Sequence, residues 1–79
     1  MVDIETHNQL KVSVEGGAGA YLTVPLDQLA DVRRVLEKNA IIHFVSQDVI
    51  ELDGRPAIAI IDFGRGADAP CIQAALDAA

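Results

Sequence analysis

The chain has 79 residues, 51% hydrophobic but only 4% aromatic, with a formal net charge of −6. That is room for one domain spanning residues 1–79, and it lacks the basic stripe on which nucleic-acid binding depends. A single cysteine, Cys71, excludes an intramolecular disulfide, and His7, His43 and Cys71 lie too far apart in sequence for a zinc motif.

Residues 2–7 alternate Val2, Ile4 and Thr6 against Asp3, Glu5 and His7, the pattern of a short strand or a frayed start. The alternation returns over residues 10–15. Leu10, Val12 and Val14 occupy one face, and Lys11, Ser13 and Glu15 the other, which predicts a half-buried antiparallel strand. Gly16, Gly17 and Gly19 then crowd a short loop. Tyr21-Leu22 stands where a Walker loop needs Lys-Ser or Lys-Thr, so the reading is a hairpin loop rather than a phosphate cradle.

Residues 21–24 form the next expected strand. Pro25 ends it and suits the first turn of a helix. The spacing of Leu29, Val32, Val35 and Leu36 predicts a helix over 26–38, with Asp27 and Asp31 near its positive end and Lys38 near its negative end. Asn39 is the expected left-handed stop. The one adjacent basic pair, Arg33-Arg34, sits among Asp31, Glu37 and Lys38 and reads as a solvated helix face.

Three further strands are expected, over 40–45, 49–52 and 57–63. Asp53-Gly54 should form a type I′ turn before the last of them, and Pro56 should lie at its start. That last strand places Ala57, Ala59, Ile61 and Phe63 on one face and Ile58, Ile60 and Asp62 on the other, the pattern of a central strand covered on both sides. Gly64-Arg65-Gly66 leaves the sheet. Asp68 is the expected N-cap of a second helix, with Pro70 in its first turn and Ile72, Ala75 and Leu76 as its inner stripe.

The expected order is therefore ββαβββα: a small α+β two-layer sandwich with two helices on one face of a mixed, mostly antiparallel sheet. In topology it resembles a ferredoxin-like sandwich, the fold of ACT-type regulatory domains. That order usually places a strand after the second helix, and here residues 10–15 are expected to fill the place. Fold resemblance of this kind assigns no function.

Two helices cover one face of such a sheet. The other is expected to carry Ile41, Val45, Ile50, Leu52, Ile58 and Ile60, an apolar surface that would pack on another copy or another protein. The competing arrangement folds residues 16–20 and the N-terminal segment over that face.

Among residues that bear chemistry, Gly64, Arg65, Gly66 and Asp68 form the strongest candidate site. A glycine turn opens onto a helix start, and Arg65 supplies a planar cation for a phosphate or carboxylate. Asp68 competes for the same N–H groups. Cys71 is read as a small residue packed on the sheet rather than as a reactive thiol, because no base lies near it in sequence. His43 is a lone strand histidine. Asp48, Glu51, Asp53 and Asp62 lack calcium-loop spacing.

No apolar run is long enough to span a membrane, and the acidic start carries no signal-peptide pattern. The expected function is that of a non-enzymatic cytoplasmic module without cofactor or metal, acting through association as a homo-oligomer. The alternative is a regulatory domain that binds a small anionic metabolite, with Arg65 as its anchor.

Overall fold

A computed structural model of the chain describes residues 1–14, 19–47, 49–51, 53–54 and 56–79. Strand β1 (Ala20–Pro25) leads through a 3-10 turn (Leu26–Gln28) into helix α1 (Leu29–Lys38). Strands β2 (Phe44–Val45) and β3 (Ile58–Gly64) follow, and helix α2 (Ala69–Asp77) closes the order. The result is a small α+β fold: two helices and an open antiparallel sheet in the order β1-β3-β2.

The most apolar strand is the central one. β3 pairs with β1 on one side and β2 on the other, as its apolar sequence predicts, but the helices cover only one of its two faces. Its odd-numbered residues Ala59, Ile61 and Phe63 are buried with Ala20, Leu22 and Val24 of β1. Val32 and Leu36 of α1 and Ile72 and Leu76 of α2 close over them, and Leu10 of the N-terminal segment joins this core between sheet and helices. Leu29 and Val35 pack at its margin, as the helical stripe predicts. The solvent face of α1 pairs Arg33 with Glu37 at 3.6 Å and Arg34 with Asp31 at 3.5 Å.

Two expected strands shrink to single bridges among the described residues. Ser13 exchanges backbone hydrogen bonds with Tyr21, at 2.8 and 2.9 Å, on the outer edge of β1. The hairpin loop expected between the two falls largely on residues 15–18, which lie outside the described residues. Ile50 pairs in the same way with Ile58. Residues 49–51 are thus no separate strand. They continue the β2 arm along the same edge of β3, after a break in register of two residues: Phe44 and Val45 meet Asp62 and Ile61, whereas Ile50 meets Ile58.

The turn after α1 also differs in detail from expectation. The left-handed residue after α1 is Ala40 (φ 56°), not Asn39. The Asn39 side chain instead donates at 2.8 Å to the Val35 carbonyl, which also accepts the Asn39 backbone N–H at 3.2 Å. At the tip of the β2–β3 hairpin Gly54 has φ 72°, the positive value that the second central position of a type I′ turn needs. Asp68 does cap α2, its carboxylate accepting from the Cys71 N–H at 3.1 Å, and Pro70 sits in the first turn.

The N-terminal segment is tethered rather than frayed. Val2 bridges Gln9, and the Asp3 carboxylate accepts from the N–H groups of Glu5 and Thr6. Two glutamine amides bind this segment to the rest of the chain. Gln28, only 4% exposed, donates to the Val2 carbonyl at 2.7 Å and accepts from the Ile4 N–H at 3.1 Å. Gln73 of α2 donates to the Leu10 carbonyl at 2.9 Å and accepts from the Val12 N–H at 2.8 Å. The Met1 amino group donates to Leu76 O. These anchors hold the segment along the helix layer and the β1 edge.

Candidate functional site

Alternation along β3 defines the helix-free face. Ile58 and Ile60 are half-buried there, with Asp62 exposed in line with them. Thr23 and Tyr21 of β1 stand opposite Ile60 and Asp62. Ile50, 40% exposed, stands opposite Ile58. Of the expected interface residues, Ile50, Ile58 and Ile60 therefore share this face, and Leu52 lies outside the described residues.

Ile41 and Val45 do not belong to it. Both pack against the core, Val45 opposite the buried Ile61, while the Ile41 N–H donates to Leu36 O at 2.9 Å at the end of α1. The reason is parity. When a segment is apolar on both faces, sequence cannot say which set turns inward. The side chain turned outward is Phe44. It is 63% exposed, stands opposite Asp62 on the helix-free face, and replaces Val45 as the apolar contribution of β2. An exposed aromatic in a chain with so few aromatics was the available signal, but it carries weight only once the strand's parity is known.

The second candidate lies at the far end of β3. Gly64 and Gly66 both hold positive φ, 81° and 80°, and the chain turns there toward α2. Gly19 packs against this turn. Its φ is +94°, and a Cβ built on it would lie 2.5 Å from the Gly64 carbonyl oxygen. Gly19 and the Gly64–Arg65 peptide, distant in sequence, are thus one packed junction. Beside it is a concavity of about 360 Å³ lined by Ile41, Ile42, Phe63, Arg65, Asp68 and Cys71 among others.

Arg65, Gly66 and Asp68 meet there, with Arg65 exposed on the rim. The Asp68 carboxylate already occupies the Cys71 N–H, so the helix start is partly filled by the protein's own anion. Cys71 is exposed rather than packed on the sheet, because Ile72 and Leu76 take the inner stripe of α2 and leave its neighbour turned outward.

The remaining candidates are dispersed. His43 is half-buried, its ring Nδ1 lying 2.9 Å from the Ile41 carbonyl. Asp62 is exposed, so it needs no buried partner. Asp48 lies outside the described residues. Among the described residues no group of three His, Cys, Asp or Glu side chains converges in a way that would hold a metal ion. None of the helices among them is long and apolar enough to cross a membrane. No family model, no curated protein and no solved structure matches the chain.

Proposed function

We propose that this protein is a non-enzymatic module that associates with a second copy of itself through the helix-free side of its sheet. The exposure of Phe44 is the observation that carries this reading: a large aromatic side chain stands open to solvent on a face that also presents Ile50, Ile58 and Ile60. Chains of this size bury a marginal fraction of their surface alone, and association adds to it. A ferredoxin-like reading of the fold goes with the proposal. It is supported by the β1-β3-β2 order, by α1 linking two parallel strands across β3, and by Ser13 on the free edge of β1.

Light scattering coupled to size exclusion across a dilution series tests the proposal. The wild-type mass should approach twice the 8.4 kDa of one chain at high concentration and fall on dilution. Phe44→Lys should hold the single-chain mass throughout, with an unchanged circular dichroism spectrum. A wild-type mass of one chain at every concentration overturns the reading.

The concavity beside Arg65 favours a second reading, a regulatory site for a small anionic metabolite. Its test is a thermal-shift screen of phosphates and carboxylates. A stabilising ligand should lose its effect in Arg65→Ala. The absence of any shift across the screen removes this reading.

A further inference from the structure

The two long edges of the sheet are treated unequally. The outer edge of β1 is covered: Ser13 pairs with Tyr21, and Gln73 holds the chain on either side of Lys11. The outer edge of β2 has no such cover among the described residues. The Ser46 N–H donates to Ile60 O at 2.8 Å, and Phe44 lies opposite Asp62. In an antiparallel ladder this alternation turns the backbone groups of Phe44 toward β3. The planar peptides on either side then turn the His43 carbonyl and both the N–H and the carbonyl of Val45 outward. This edge also lacks the usual protection against strand pairing. Residues 40–47 contain no Lys, no Pro and no formal charge.

We infer that β2 pairs antiparallel with β2 of a second copy, with the two Phe44 residues facing each other across a two-fold axis. The inference rests on the self-association proposed above and places its contact at the β2 edge, where Phe44 borders the helix-free face. The outward acceptor at His43 and the outward donor at Val45 are placed symmetrically about Phe44. In this register the Val45 N–H of each copy meets the His43 carbonyl of the other, a self-complementary arrangement.

For two like copies, charge also selects this edge. Each copy carries −6, so like copies must meet on neutral surface. The acids opposite the two Phe44 residues, Asp62 of each copy, would stand three strand spacings apart, about 14 Å and beyond the ~8 Å screening length of physiological salt. Because the β1 edge is covered, pairing stops at two copies and does not run on as a fibre. The ladder is short, and the dimer belongs to the dissociable class.

Cysteine trapping in a Cys71→Ser background tests the register. Phe44→Cys should cross-link under mild oxidation at least tenfold faster than Ile60→Cys, since facing non-hydrogen-bonded positions approach closely enough for a disulfide. Val45→Pro removes an outward donor without touching the β3 ladder and should give a folded monomer. In the wild type, hydrogen exchange at the Val45 amide should slow at least tenfold between the monomer and dimer ends of the dilution series. This last reading serves even if Val45→Pro fails to fold.

A wild-type dimer that cross-links through Ile60→Cys, and whose Val45 amide gains no protection, overturns the edge register and leaves self-association standing. A wild type that is monomeric throughout overturns both.

Discussion

Gly19 shows at the level of one residue how a loop glycine becomes structural. Two constraints coincide there: a positive φ, and a backbone carbonyl 2.5 Å from where a Cβ would lie. Gly64 and Gly66 carry only the first constraint, since a Cβ on either meets open space. Gly64→Ala should therefore cost about 1–2 kcal/mol, the ordinary left-handed penalty. Gly19→Ala should cost more than that, because the Gly64–Arg65 peptide must also move. Urea denaturation of the two variants measures the difference, and equal costs would show that the loop relaxes freely. From sequence both stretches were legible as glycine turns. Their contact was not, because nothing local to either one encodes it.

At the scale of elements, the N-terminal segment is held by side chains doing the work of a neighbouring strand. The Gln28 amide presents a donor and an acceptor to Val2 and Ile4, as a paired backbone would. Replacing it with the apolar Gln28→Leu keeps a side chain in the buried position but strands both backbone groups. The expected cost is about 1–3 kcal/mol. Amide exchange should speed up over residues 1–10 while the α1 core stays protected, and uniform loss of protection would place Gln28 in the global core instead. The helices themselves were readable in advance. Period, caps and the Pro70 position all point one way, and these are local signals. The glutamine clamps were not readable, since a single Gln in a helix carries no periodic signature.

For the whole molecule, self-association makes stability depend on concentration. If the dimer is the stable form, each tenfold increase in protein should raise the melting temperature by about 4 °C, from the mass-action contribution spread over a chain pair of this size. Calorimetry over two decades of concentration measures this directly. A melting temperature that does not move means that the folded monomer is self-sufficient. Phe44→Lys should abolish the dependence, provided that the helix-free side carries the contact.

The sequence by itself determined the two helices with their inner stripes, the Asp68 cap, the central place of the Ala57 to Phe63 segment and the inward set Ala59, Ile61 and Phe63. Each of these follows from periodicity or from end chemistry within a few residues. Only the tertiary structure decided the parity of β2, the merging of residues 49–51 into its arm, and the unequal covering of the two sheet edges. Strand pairing is a non-local choice. Where a segment is apolar on both sides, a shift of one residue exchanges every inward side chain for an outward one, and only its partner strand fixes which is which.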